Sequence, residues 1–348
     1  MEESVFTVLV PYSSKENFLH CRFPDIQPAY YQPKDELLFQ RVMRKLGLRD
    51  IRQTFEARLC IVEGSDLLHK TRALWLSPDL CFPPSLMAYL LDLLPGLKWV
   101  YSQMTGTDHL DLEMFKGRGV IISNSGVLNS RRAAEMALAC VFAHAKRLPK
   151  HIAMQRMCSG QSLPTDDLHR QTVGILGTGN IGREMATLCR AIGMHVVGAS
   201  RDPKRFGNDP FPYHRIVRLE EDLGLLLAEA DHVILALPLT SKTRGLIGRN
   251  ELRLMKPNAS LINLARGAIV NDLELSKALS DGVIAGAYID PPTRLSSPLF
   301  RRLYRAGILV LIHNSAAHSP HRQKEAFEQF IEGFREIMET GVPPNRVV

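Results

Sequence analysis

Gly177, Gly179 and Gly182 stand as G-x-G-x-x-G within TVGILGTGNIGREM, Thr172–Met185. Three glycines at this spacing fit a phosphate-binding turn. The first permits a tight bend, the second lets backbone approach a pyrophosphate, and the third lets a helix pack close on its strand. Val173, Ile175 and Leu176 ahead of the turn make an apolar run suited to a buried parallel strand. The residues after it read as a helix whose amino end offers N–H groups to an anion. A strand before and a helix after are the context in which this glycine pattern binds a dinucleotide. The end of the next strand then decides the cofactor, because an NAD site places Asp or Glu there for the adenosine ribose. This chain has Gly198-Ala199-Ser200-Arg201, with Ser200 at the expected acidic position. A hydroxyl followed by a guanidinium suits a 2′-phosphate. NADP is the expected cofactor, with NAD as the alternative if a one-residue slip brings Asp202 to the ribose.

These residues need a sheet to hold them. Phe6–Val10, Cys60–Glu63, Ala73–Leu76, Lys98–Gln103 and Gly119–Ser123 read as strands of a first sheet, with helical stretches such as Lys34–Leu46 and Pro84–Leu94 between them. Ser130–Met157 reads as one long helix, broken at Ser159-Gly160 and Pro164. Behind the glycine turn a second series follows: Val196–Ala199, Val233–Leu237, Ser260–Leu264, Val283–Ile289 and Ile308–Ile312 as strands, then a closing helix over Gln323–Thr340. Strands alternating with helices imply parallel α/β layers.

The 348 residues suffice for two domains, and 45% hydrophobic with 23% charged residues is the balance of a soluble globular protein. FTVLV near the start is too short for a signal-peptide core, and no apolar run approaches a membrane span. Six scattered cysteines without C-x-x-C pairing suit a reducing compartment, and no zinc or other metal site is expected. Cytoplasm is the expected location. The net charge of +7 raises nucleic acid as a partner. The bases are nevertheless spread along the chain, at Lys146–Lys150, Arg201–Arg205 and Arg301–Arg305, without a recognition signature, so neither nucleic acid nor membrane is expected.

The stretch Leu237–Leu275, LPLTSKTRGLIGRNELRLMKPNASLINLARGAIVNDLEL, resembles the D-2-hydroxyacid dehydrogenase family along almost its whole length. So do the glycine turn, the loop TGTDHLD at Thr105–Asp111 and the strand end GAYID at Gly286–Asp290. The family includes glyoxylate and hydroxypyruvate reductases. The resemblance implies two Rossmann-like parallel-sheet domains, with the nucleotide domain (125–314) inserted into a flavodoxin-like substrate domain (1–124 and 315–348). It implies a homodimer, with Ser130–Met157 as hinge and dimer contact or simply packed on its own domain. It also implies hydride transfer between NAD(P) and a small 2-oxo or 2-hydroxy acid. Arg266, in ARGAIV, matches the arginine that holds the substrate carboxylate and polarises its carbonyl. The amides around Thr105 and Gly106 would take the other side of that carboxylate. Along the cofactor the resemblance places Asn180, Ile181, Pro238, Thr243, Leu264, Ala265 and Asp290, the last against the nicotinamide amide.

The family completes its site with a glutamate and a histidine that exchanges the hydroxyl proton. Here Asp290 is followed by PPTRLSSPLF, and no Asp or Glu occurs between Pro291 and Lys324. Counted forward from the last strand the histidine position is His313; counted backward from Ala316-Ala317-His318-Ser319 it is Asn314. The strand end is the firmer anchor and favours His313. His109 reads as structural, and Arg294 as a surface residue or a second cation for the substrate. The departure keeps a second function open, that of a dinucleotide-binding scaffold or redox sensor without a proton relay.

Overall fold

The computed structural model describes residues 6–11, 26–33, 59–63, 71–76, 84–108, 110–126, 128–156, 162–207, 211–290, 298–313 and 315–347. The chain divides into two units, Met1–Leu128 with Ser319–Val348, and Asn129–His318.

The first unit carries strands β1 (Phe6–Pro11), β2 (Ile26–Pro33), β3 (Leu59–Glu63), β4 (Thr71–Leu76), β5 (Trp99–Ser102) and β6 (Ile121–Asn124), in the order β3-β2-β1-β4-β5-β6. Helices α1 (Pro84–Leu93) and α2 (Leu112–Gly117) also belong to it. Alternate side chains of a strand go to opposite faces of the sheet. Leu74, Leu76, Val100 and Ile122 therefore share a core with Met87, Leu91 and Phe115, while Trp75, Trp99 and Tyr101 point the other way. There they meet the C-terminal helix Arg322–Thr340, with the Phe330 ring stacked on Trp99 at 4.9 Å and on Trp75 at 5.4 Å. This aromatic cluster ties the end of the chain to the unit in which it begins.

Two features depart from the expected pattern. β3 runs antiparallel to β2, so the first sheet is mixed, not purely parallel. An edge strand that returns antiparallel needs no crossover helix, which is why mixed edges are common on parallel sheets. β2, IQPAYYQP, went unrecognised as a strand because its two prolines argue against a ladder position. The expected helix Lys34–Leu46 lies outside the described residues.

The second unit opens with helices α3 (Ser130–Ala145) and α4 (Leu148–Arg156). The single helix expected over Ser130–Met157 is in fact two, and Met157 lies outside the described residues. Arg147, at φ 52°, turns the chain between them. Pro149 has no N–H and would clash in a helix interior, but it is tolerated in the first turn of α4. Side chains secure the break: Lys146 Nζ donates to the Asp166 carbonyl at 2.6 Å and Arg147 Nε to that of Pro164 at 2.7 Å.

There follow β7 (Thr172–Leu176), α5 (Asn180–Ala191), β8 (His195–Ser200), β9 (Arg215–Arg218), α6 (Leu219–Glu229), β10 (His232–Leu235), α7 (Arg249–Leu254), β11 (Ser260–Asn263), α8 (Asp272–Ser280), β12 (Gly286–Ile289), α9 (Pro298–Arg305) and β13 (Leu309–Leu311). The short edge strand β9, RIVR, was also not expected, since charged ends mask its two apolar residues. All seven strands are parallel, in the order β13-β12-β11-β10-β7-β8-β9. Val233, Leu235, Leu261, Ala287 and Ile289 pack against Leu226, Leu252, Leu275 and Phe300 on one face. Ile175, Ile234, Ile262 and Tyr288 pack against Ala137, Val141, Met185 and Ala186 on the other. The sheet is thus wound on both sides. No helix among the described residues is long and apolar enough to cross a membrane.

At the amino edge of this sheet sits a buried polar group. His232 is fully buried; its Nε2–H donates to Gln171 Oε1 at 2.9 Å and its Nδ1 accepts from Ser260 Oγ at 2.8 Å. His144 meets it edge to face at 5.6 Å, and Asp231, paired with Lys256 at 2.9 Å, lies beside it in sequence. Burial, with smaller effects from His144 and Lys256, pushes the His232 imidazole down to about 3. Below the ordinary histidine range of about 6.5 the unfolded chain binds a proton that the folded chain refuses. The stability from neutral His232 is therefore complete above that range and declines as pH falls toward 3, by up to about 1.4 kcal/mol per pH unit. Burial lowers His144 in the same direction. Urea midpoints should fall from pH 7 to pH 5, and His232→Gln should flatten that fall. An equal slope in the variant would refute the assignment.

Candidate functional site

Because the seven strands of the second unit are parallel, the residues that follow them emerge along one edge. The order places β8 on one side of β7 and β10 on the other, so the winding reverses between β7 and β10. A crevice at the carboxyl ends of the strands beside such a reversal is where open α/β sheets bind ligands. The glycine turn leaves β7 at this place.

The turn is built by crowding. Gly177 has φ 105°, and a Cβ there would stand 2.5 Å from the Ala236 carbonyl oxygen, just beyond β10. At Gly182 a Cβ would overlap the Gly177 carbonyl oxygen, so the third glycine lets α5 start directly against the turn. Gly179 differs: it caps α5, and a Cβ there would meet no atom within 4 Å. The turn thus leaves open space where a pyrophosphate approaches, in front of the first amides of α5. Asn180 is exposed at the start of that helix, and Ile181 packs against the core. This cradle fits a dinucleotide.

β8 ends in Ser200, which is buried, and the exposed Arg201. Ser200 Oγ accepts from the Asp202 amide at 3.3 Å, and Asp202 Oδ1 accepts from the Lys204 amide at 3.2 Å. The Asp202 carboxylate therefore serves its own turn, while the Arg201 guanidinium stands in solvent. Beyond β10, Pro238 is exposed and Thr243 is buried. Thr243 Oγ1 donates to the Pro238 carbonyl at 2.7 Å and accepts from the Thr240 amide at 2.8 Å, which holds this loop closed.

Leu264, Ala265 and Arg266 form the turn after β11, all half-buried. Arg266 has extended backbone and caps the short helix Gly267–Ile269, and its guanidinium donates to the Ala265 carbonyl at 3.0 Å. The fully buried Asn263 accepts from the Ala265 amide and donates to the Arg266 carbonyl, each at 3.0 Å. After β12, Asp290 is buried, and its Oδ1 accepts from the amides of Ser315 and Ala316 at 2.8 and 3.1 Å. His313 follows β13, exposed and at φ 58°, two residues before that clamp. Asn314, His109 and Arg294 lie outside the described residues.

The structure thus brings the glycine turn, Ser200, Arg201, Pro238, Thr243, the Leu264–Arg266 turn, Asp290 and His313 to one edge of one sheet. Thr105 and Gly106 belong to the other unit, in the loop after β5, where Asn124 Nδ2 donates to the Thr105 carbonyl at 2.9 Å. The sequence reading missed Asn263; its place at the end of a buried strand, three residues before the arginine, was the available signal. Among the described residues no group of three or more His, Cys, Asp or Glu side chains could hold a metal.

The fold and this edge define a two-unit α/β protein with a dinucleotide-binding second unit. The family model for the NAD binding domain of D-isomer specific 2-hydroxyacid dehydrogenases matches residues 138–321. The glyoxylate reductase of Thermococcus onnurineus is 30% identical over 277 residues, 74% of this chain and 79% of that protein. The glyoxylate reductase of Thermococcus litoralis is 35% identical over 212 residues, 58% of this chain and 62% of the relative. The TT0316 protein of Thermus thermophilus superposes with a TM-score of 0.72 at 26% identity, covering 99% of this chain and all of that one. The chain belongs to the D-isomer specific 2-hydroxyacid dehydrogenase family.

Proposed function

We propose that this protein uses NADPH to reduce a 2-oxo acid to a D-2-hydroxy acid. The observation that carries the reading is the placement of Arg266, on a braced turn, at the same sheet edge as the glycine cradle. NADPH, when bound, supplies the hydride for the carbonyl carbon. The chain's own residues do the rest. The amides at the start of α5 hold the pyrophosphate, and Ser200 with Arg201 holds the 2′-phosphate. Arg266 takes the substrate carboxylate on its fork of donors and draws charge toward the carbonyl oxygen, an interaction that strengthens as negative charge builds there. His313 donates the proton that completes the hydroxyl.

The cofactor preference has its own test. Arg201→Ala should weaken NADPH binding about tenfold or more, the scale of a lost charge-assisted hydrogen bond, and leave NADH binding unchanged. Fluorescence titration of both cofactors measures this. Tighter binding of NADH by the natural chain, with no response to Arg201→Ala, would refute the 2′-phosphate assignment.

One observation favours a second reading, a dinucleotide-binding protein without turnover. Between Pro291 and Lys324 the chain offers no carboxylate to orient a histidine, and His313 is exposed. Loss of nicotinamide absorbance with glyoxylate, hydroxypyruvate, phenylpyruvate and dicarboxylic 2-oxo acids separates the two. Turnover supports the reductase; tight NADPH binding with no acid reduced supports the second reading.

A further inference from the structure

We propose that Asn263 is a positioning residue that sets Arg266 for the substrate carboxylate and ties it to the loop carrying His313. The inference rests on the role given to Arg266 above.

The buried amide of Asn263 must find hydrogen bonds inside the protein, because leaving donor or acceptor unpaired there is costly. It finds both on the next turn, accepting from the Ala265 amide and donating to the Arg266 carbonyl, each at 3.0 Å. The two bonds bracket the peptide unit that joins Ala265 to Arg266. Arg266 itself is extended, and of its backbone only the carbonyl takes part in the short helix, accepting from the Ile269 amide at 3.2 Å. The amide of Asn263 adds a second bond to that carbonyl and fixes the Ala265 side of the turn.

The same residue is held from the other side. Its main-chain carbonyl accepts from the Asp290 amide at 3.0 Å. Asp290 in turn clamps the amides of Ser315 and Ala316. A continuous hydrogen-bonded path therefore runs from the Arg266 peptide through Asn263 and Asp290 to the segment after His313. The path lies within one unit and joins three strand ends. Only a short amide side chain meets both demands at this point. Aspartate lacks the donor and would set a carboxylate against the Arg266 carbonyl, and leucine would remove both side-chain bonds, leaving the Arg266 carbonyl with the Ile269 amide alone.

The test uses Asn263→Asp and Asn263→Leu, alone and combined with Arg266→Ala. The readouts are kcat/KM for the fastest 2-oxo acid, NADPH affinity, and binding of oxamate to the NADPH-loaded protein. Each Asn263 variant should lose about 10- to 100-fold in kcat/KM and weaken oxamate, while NADPH affinity holds, because the loss is one of placement. Added to Arg266→Ala, Asn263→Asp should cost nothing more, a non-additivity that general destabilisation would not produce. Asn263→Asp is isosteric and carries the test if the leucine variant fails to fold. Full activity in Asn263→Asp, or a loss that adds in full to that of Arg266→Ala, would overturn the inference. If the natural chain reduces no acid and Arg266→Ala leaves oxamate binding intact, it is the role of Arg266 that has failed.

Discussion

Arg266→Ala should lower kcat/KM about 10³-fold, with kcat falling and KM rising, while NADPH affinity is unchanged. Removing one preorganised donor to a developing oxyanion costs roughly 10²–10³ in rate, and in the proposed role the arginine would also hold the ground-state carboxylate. The side chain belongs to the turn after β11, whereas the phosphate cradle follows β7, so the cofactor loses nothing. Arg266→Lys should recover little, since an ammonium cannot present the planar fork that matches a carboxylate. Steady-state kinetics with paired NADPH titrations checks both variants. Activity in Arg266→Ala within a few-fold of the natural chain would remove the arginine from the mechanism.

The glycine cradle gives the second large effect, and it separates two kinds of damage. In Gly182→Ala the new methyl overlaps the Gly177 carbonyl oxygen, which is backbone and cannot swing aside. α5 must then move off the turn, at a cost of about 1–3 kcal/mol for an overpacked site, and NADPH binding should fall by at least about tenfold with it. Gly179→Ala is the informative partner. Its methyl meets no protein atom within 4 Å and its φ of −76° suits alanine. Thermal stability should hold, yet NADPH binding should fall, because the methyl fills the space through which the pyrophosphate reaches backbone. Equal losses of stability in both variants would contradict the cradle, as would undiminished NADPH binding in Gly179→Ala.

Much of this edge was legible in the sequence because its residue types answer local demands. Gly177 serves a positive φ, Gly182 a close approach, and the apolar run of β7 a strand buried on both faces. The order of the first sheet was less legible. β2 carries two prolines and β3 pairs antiparallel at the edge, and neither fact leaves a periodic signal. The division of Ser130–Met157 turns on Arg147, a residue type that rarely takes φ 52°. Asn263 was hidden for a different reason. Its task is set by hydrogen bonds to a turn whose geometry appears only once β11 ends in the sheet. Asp290 was expected against the nicotinamide amide; the structure adds its bonds to Ser315 and Ala316, which depend on β12 and β13 being neighbours. The missing carboxylate after Asp290 is read from sequence alone, since residues 291–297 fall outside those described.

The central claim is that hydride passes to the carbonyl carbon of a 2-oxo acid at this edge. NADPH deuterated at the transferring position of C4, incubated with the natural chain and the acid panel, tests it most directly. The account predicts deuterium at C2 of a D-2-hydroxy acid, entering about 10³-fold more slowly with Arg266→Ala. NADPH that binds tightly but keeps its deuterium with every acid would contradict the reductase and leave a dinucleotide-binding protein.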